Sequence, residues 1–249
     1  MPRYKVIVEY AGHAFHGMQI QPNVITVQEE LNHAISAFFN QEISIRFAGR
    51  TDAGVHATGQ VIDFYTESER DDNNILRGIN FHIRTLDLRC IAFEVVSDEF
   101  HSRFDAKMRH YTYKIINRTV QLSINRATHC HIKKPLDISL MLEAGKSFIG
   151  THDFSAFRNP QCQANSPIRS IDRFEIDSYG IGNGAHEIHI HFSGKSFLHS
   201  MVRKMVGGLI LVGVGDQKTS YIKKMLSKGD KKVVPSILPH GLYLAKVDY

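Results

Sequence analysis

Alternation and helical spacing divide the chain into two similar runs of elements. From Tyr4 to Tyr10 apolar and polar side chains take alternate positions, which predicts a half-buried strand. Thr26-Val27-Gln28-Glu29 has the form of a capping box. Val27, Leu31, Ala34, Ile35 and Phe38 follow at helical spacing and predict a helix. Ile43–Phe47 and Gly59–Tyr65 predict two strands, Asn74–Ile83 a second helix and Leu88–Val96 a closing strand, giving the order β-α-β-β-α-β. From Arg109 the order repeats. A strand over Arg109–Ile116, a helix over Asp137–Phe148 and strands over Ile168–Asp177 and His186–Phe192 lead to a helix from about Phe197 to Val212 and a last strand, Gly241–Val247. The pattern predicts an α+β protein of two tandem ferredoxin-like (βαββαβ) units, residues 1–105 and 106–249, each an antiparallel sheet with helices on one face.

Composition narrows the function classes. At 249 residues and 43% hydrophobic, the chain can bury one large core or two modest ones. Cys90, Cys130 and Cys162 form an odd set without CxxC spacing, so neither a disulfide framework nor a four-cysteine zinc site is expected, and a reducing cytoplasm is. No window approaches the ~18 apolar residues of a membrane span, and the start lacks a secretory apolar stretch. The formal charge of +5 is unevenly spread. Residues 1–105 hold 9 Lys and Arg against 15 Asp and Glu, net −6, whereas residues 106–249 hold 21 against 10, net +11. A phosphate-rich partner held mainly by the second half is the expectation. Lys231-Lys232 is one basic pair there. Residues 117–136, with Arg118, Arg126, His129, His131, Lys133 and Lys134, and residues 155–167, with Arg158, are expected as loops that touch a polyanion.

The candidate chemistry lies between the second and third predicted strands. Phe47-Ala48-Gly49-Arg50-Thr51-Asp52-Ala53-Gly54-Val55-His56 sets one carboxylate among an arginine, two glycines and a histidine. Glycines let backbone approach a ligand, and a guanidinium favours the ionised form of a nearby carboxylate, the form a nucleophile or base requires. Taken whole, GRTDAGVHATGQVIDF resembles the signature of the tRNA pseudouridine synthase A family. Segments in the same chain order extend the resemblance over nearly the whole sequence. They are Phe15-His16-Gly17 with Gln19 and Gln21-Pro22, Phe100 to Ala106, Arg109 to Tyr113, Gly194 to Gly207 and Gly241 to Leu244. One departure is Met18, where family members usually carry tryptophan; this chain has none.

The resemblance implies a pseudouridine synthase fold, with the antiparallel sheets joined around a central cleft. It implies a homodimeric isomerase that converts uridine to pseudouridine at positions 38, 39 and 40 of the tRNA anticodon stem-loop. No cofactor is expected, since the reaction rearranges one nucleotide. Asp52 matches the catalytic aspartate, either as nucleophile or as the base that removes the C2′ proton. Arg203 matches the arginine that pairs with it, a role the neighbouring Lys204 cannot fill because an ammonium lacks the planar two-point grip. Arg50 is expected to hold the extruded nucleotide, Tyr111 to stack on the uracil, and Leu242 to lie over the base. His56 and Arg103 are further substrate-binding candidates, followed by Gln19, Gln21, Phe100, His101 and Lys195. The pairs His129/His131 and His189/His191 alternate as a strand would, but no metal is expected there, because no acidic or cysteine ligand stands at zinc spacing in the sequence. Three rival readings are a pseudouridine synthase acting on a different tRNA position or RNA, a non-catalytic RNA-binding protein, and a glycoside or nucleoside hydrolase with Asp63 as a second acid.

Overall fold

The computed structural model of the chain describes residues 2–68, 70–227 and 234–249. The Lys231-Lys232 pair lies outside them. It is a mixed α+β protein with mostly antiparallel strands, in two compact units, Met1–Lys107 with Tyr243–Tyr249, and Met108–Leu242. Among the described residues no helix is long and apolar enough to cross a membrane.

In the first unit, β1 (Arg3–Tyr10) lies between β3 (His56–Tyr65) and β4 (Leu88–Val96), antiparallel to both. Its alternation decides its faces, with Tyr4, Val6, Val8 and Tyr10 buried. Short β2 (Arg46–Phe47) pairs antiparallel with the far end of β3, at Asp63 and Ile62. Residues of β11 (Leu242–Asp248) pair in parallel with its near end, Tyr243 with His56 and Leu244 with Ala57. Helix α1 (Val27–Phe39) starts at Thr26, whose hydroxyl accepts from the Glu29 N–H, and stops at Asn40 in the left-handed region. It buries Val27, Leu31, Ala34, Ile35 and Phe39, and the Phe39 ring packs at 5.8 Å from Tyr4 and 5.7 Å from Phe64. Helix α2 (Asp72–His82) packs beside α1 through Gly78, where a Cβ would stand 2.0 Å from the Phe38 ring.

The expected strand Ile43–Phe47 shrinks to its last two residues for a visible reason. The Ile43 N–H donates to Ser36 Oγ and the Ile45 N–H to Asn32 Oδ1, so α1 side chains take the donors a ladder would use.

In the second unit, β5 (Met108–Asn117), β10 (His186–Gly194) and β9 (Arg173–Gly180) lie side by side in that order, antiparallel. On β10, Ile188, Ile190 and Phe192 turn inward, while Glu187, His189 and His191 occupy the other face. Phe148, Phe154, Phe157, Phe174 and Phe192 form the aromatic core beneath α3 (Ile138–Gly145) and α4 (Met201–Gly213). The expected helix Asp137–Phe148 ends early, with its last three residues as a 3-10 turn. At Gly145 a Cβ would stand 2.1 Å from the Phe174 ring. The helix expected from Phe197 begins at Met201, because Ser200 has φ +58°. The expected strand Ile168–Asp177 is two strands. Its first part, β8 (Ile168–Ile171), pairs with β7 (Gly150–Asp153) in a separate small sheet, while β9 joins β10. Inside the expected loop 117–136, β6 (Cys130–Ile132) runs parallel to β5. Amphipathic α5 (Ser220–Ser227) follows α4.

Phe39 and Phe81 make a matched stability test. Phe39→Ala removes a ring that is 1% exposed and should cost about 3–5 kcal/mol. Phe81→Ala, at 83% exposed, should stay within about 0.5 kcal/mol. Urea midpoints of the two variants measure the difference.

Candidate active site

The loop between β2 and β3 is fixed from beneath, and this fixes what it presents. The Ala48 N–H donates to the Val61 carbonyl at 2.8 Å, and the buried Gln60 amide donates to the Gly49 carbonyl at 2.7 Å. Thr51 is buried, and its hydroxyl meets the Tyr10 hydroxyl at 2.8 Å. Burial pushes the Tyr10 phenol up to about 12, so the pair stays protonated at any ordinary pH. The Thr51 carbonyl accepts from the Met18 N–H at 3.2 Å. Either side of this inward-pointing Thr51, Arg50 is exposed and Asp52 half-buried. The chain then turns back, with the Val55 N–H donating to the Asp52 carbonyl at 3.1 Å and Gly54 at φ +78°. Glycine takes that conformation without strain.

Residues 12–18 form the floor. A Cβ on Gly17 (φ +96°) would stand 2.8 Å from the Thr51 carbonyl oxygen, and one on Gly12 would stand 2.2 Å from that of Val55. Fully buried Met18 occupies the floor, so the departure from the family tryptophan concerns the loop's support. His56 belongs to the support as well. It is 2% exposed, its Nδ1 accepts from the Gly12 N–H at 3.0 Å, and its ring stacks on Tyr243 at 4.6 Å.

Arg103 lies in a second loop of the same unit, organised by Asp63. That carboxylate is fully buried and receives the Arg3 guanidinium at 2.9 Å, the Arg46 Nε at 2.9 Å and the Ser102 N–H at 2.9 Å. Arg46 also donates to the Phe100 carbonyl, and Tyr249 to that of Ser102. Burial alone would raise the Asp63 carboxyl; hydrogen bonds from Arg46 and Ser102 outweigh it and hold the group below the usual carboxylate range. Asp63 is therefore a structural pin, which removes it as the second acid of a hydrolase. Exposed Arg103 lies over the Phe104 ring at 5.5 Å, beside His101.

In the second unit, Tyr111 projects from β5 and meets Phe197 edge to face at 5.0 Å. Two residues along the strand, the Tyr113 hydroxyl donates to the Leu238 carbonyl at 2.6 Å. Half-buried Arg203 on α4 donates from Nε to the Ile237 carbonyl at 2.8 Å, whereas Lys204 is only 5% exposed, and burial lowers its ammonium, helped by the Arg203 charge. Gly207 lets α4 approach this segment, since a Cβ there would stand 2.2 Å from the Pro235 carbonyl oxygen. Gly241 does the same for β5, with a Cβ position 2.7 Å from the Lys114 carbonyl oxygen. Residues 235–242, ending in the buried Leu242, are thus anchored to both the strand of Tyr111 and the helix of Arg203.

Sequence reasoning singled out the loop and missed most of its floor. Tyr10 and Gly12 carry no local signature. Gln60 belongs to the signature string, and the structure shows its part there, a buried amide under the loop.

A family model described as tRNA pseudouridine synthase matches residues 6–107 and 144–249. Full-length relatives agree. The protein called tRNA pseudouridine synthase A from Anaplasma phagocytophilum (strain HZ) is 41% identical over 99% of this chain and 100% of its own length. Those of the same name from Parvibaculum lavamentivorans and Methylocella silvestris are 41% and 42% identical, over 100% of this chain and 100% and 99% of their own. The chain belongs to the tRNA pseudouridine synthase family.

Asp63 sets a test with a defined sign. Because its folded pKa is depressed, the stabilisation it provides is full above the ordinary carboxylate range and is lost as pH falls through the folded value. Acid denaturation of the native protein should therefore include a step that Asp63→Ala lacks. At neutral pH that variant, which leaves Arg3 and Arg46 without their shared carboxylate, should lose about 3–5 kcal/mol by urea unfolding.

Proposed function

We propose that the protein isomerises uridine to pseudouridine in the anticodon stem-loop of tRNA, at positions 38, 39 and 40, with Asp52 as the catalytic carboxylate. The observation that carries the reading is the Asp52 loop, an intact family signature whose odd member, Thr51, is tied down while Arg50 and Asp52 are presented. The reaction breaks the C1′–N1 bond, joins C1′ to C5 of the same uracil, removes the C5 proton and leaves a proton on N1. Atoms balance within one nucleotide, so no redox partner or group donor enters. The target nucleotide has to leave its stack, and the detached base has to stay in place while it turns.

Arg50 holds the extruded nucleotide by its phosphate, Asp52 acts at C1′ or at the C2′ proton, and Arg203 orients the carboxylate by a two-point grip. Tyr111 stacks on the uracil, and Leu242 closes over it. Arg103 extends the RNA contact from the exposed edge of the loop pinned by Asp63. His56 acts at one remove, through the loop it supports. The catalytic architecture is two tandem ferredoxin-like units, the first carrying the Asp52 loop and the second Tyr111, Arg203 and Leu242. The strand order β4-β1-β3-β2 of the first unit supports that reading. The basic second half captures RNA mainly through phosphates, which suits an enzyme that serves several neighbouring positions by shape. Family resemblance supports a homodimer, and three free cysteines support the cytoplasm.

Purified protein and in vitro transcribed tRNA test the reading. Asp52→Ala should abolish pseudouridine formation, a loss on the order of 10⁴-fold or more, with tRNA affinity changed only a few-fold. Wild-type turnover in Asp52→Asn would overturn it in favour of a non-catalytic RNA-binding protein, and release of free uracil would favour a hydrolase. Arg203→Lys should lower turnover nearly as far as Arg203→Ala, because the grip and not the charge is required. Raising salt should weaken tRNA binding by both native protein and Asp52→Ala with the same slope.

A further inference from the structure

The outer face of the second unit's sheet carries a side-chain cluster that the proposed isomerisation does not use. Glu187 and His189 lie two residues apart on β10 and share one face. His129 precedes β6, which runs along the opposite edge of β5. Its Nε2 lies 3.2 Å from Glu187 Oε1, and the His189 Nε2 lies 2.7 Å from the same oxygen. One ligand atom from each residue falls within 4.8 Å of the other two.

We propose that His129, Glu187 and His189 form a binding site for a divalent transition-metal ion of the zinc class. Two imidazoles and one carboxylate are the donor set of a borderline cation, and they exclude magnesium and calcium, which prefer oxygen ligands alone. Ligand atoms about a tetrahedral zinc stand roughly 3.3 Å apart, so the 3.2 Å edge already fits, the 2.7 Å edge has to open and the edge between the two imidazoles, which lie within 4.8 Å, has to close. His129 is oriented for the role. Thr128 Oγ1 meets its Nδ1 at 3.0 Å, the kind of outer partner that fixes a metal-binding imidazole and directs the other nitrogen at the ion. His129 is buried, whereas the His189 and Glu187 side chains are 22% and 29% exposed, which leaves the fourth coordination position toward solvent.

The neighbouring histidines are committed elsewhere. His131 Nε2 contacts the Arg118 carbonyl oxygen at 2.8 Å, and His191 bridges Asp177 at 3.1 Å and Thr112 at 3.0 Å. Each histidine pair in the sequence thus sends one member to the cluster. Lys114 opposes it electrostatically, standing across from His189 on the same face, while Asp177 on the other side of His189 offsets that charge. A bound ion would fasten the end of the basic segment 118–129 to the sheet, alongside Asn117, whose amide already donates to the Ile132 and Lys134 carbonyls.

The test uses the full chain, untagged and stripped with a chelator. Cobalt(II) should bind in a saturable way with the visible bands of a low-symmetry four-coordinate site, and zinc should displace it. His129→Ala, Glu187→Gln and His189→Ala should each weaken binding by more than the ~10–100-fold typical of losing an outer partner, and zinc should raise the melting temperature of the native protein but not of Glu187→Gln. His131→Ala and His191→Ala should bind like the native protein, and Lys114→Met more tightly. X-ray absorption of the zinc-loaded native protein should show two imidazoles beside oxygen ligands, a readout independent of how any variant folds. Absence of saturable binding, a zinc spectrum without the two imidazoles, or affinity that survives in folded His189→Ala and disappears in His191→Ala would overturn the proposal.

Discussion

The fully buried carboxylate of Asp63 is the constraint on which the first unit depends. Its oxygens collect an arginine from β1, an arginine from β2 and a backbone donor from the loop at Ser102. An isolated charge at that depth would be prohibitively costly, so the carboxylate exists only because its partners surround it, and they lose their own compensation without it. Arg46 is also the first residue of the short strand that leads into the Asp52 loop. Fixing Arg46 therefore fixes where that loop departs. The opposite end of the loop is fixed separately, by His56 on Gly12 and Tyr243. The segment that carries Asp52 is held between two rigid ends, and between them the Thr51 side chain points inward to the Tyr10 hydroxyl.

The architecture was legible wherever a periodicity of 2 or 3.6 ran uninterrupted. Leu88–Val96, β1 and α1 came out within a residue or so, because alternate burial and a threonine cap are local signals. Ile43–Phe47 was misjudged because its donors are taken by Ser36 and Asn32 on a helix, a competition no strand pattern records. Residues 168–177 read as one strand because both halves alternate, yet neighbouring segments claim them for different sheets. The site shows the same division. The loop's string of residues is contiguous and was read whole, but its floor is assembled from Tyr10, Gly12, Gly17, Met18 and Gln60, which become a set only after folding.

The histidine pairs illustrate the limit from the other direction. Alternation put both members of each pair on one face and said nothing of which would meet. Glu187, two positions before His189, shares its face of the strand, but the pair becomes a cluster only when a third side chain from a distant segment reaches the same carboxylate. The third member comes from residue 129, brought in by a parallel strand where a loop was expected. Long-range pairing of this kind follows from register, and register is set by the whole sheet.

The first unit is completed by residues 243–249, which the ribosome adds to the chain long after residues 1–107. Tyr243 supplies the ring under His56, the Asp248 carbonyl accepts from the Lys107 N–H, and the Tyr249 hydroxyl holds the Ser102 carbonyl. During synthesis the nascent N-terminal portion thus waits, with an unfilled place beside β3, until the polypeptide that separates it from its own last strand has been made. Premature termination anywhere in between would leave a fragment that carries the entire Asp52 motif in its sequence and lacks the stacking partner that sets it.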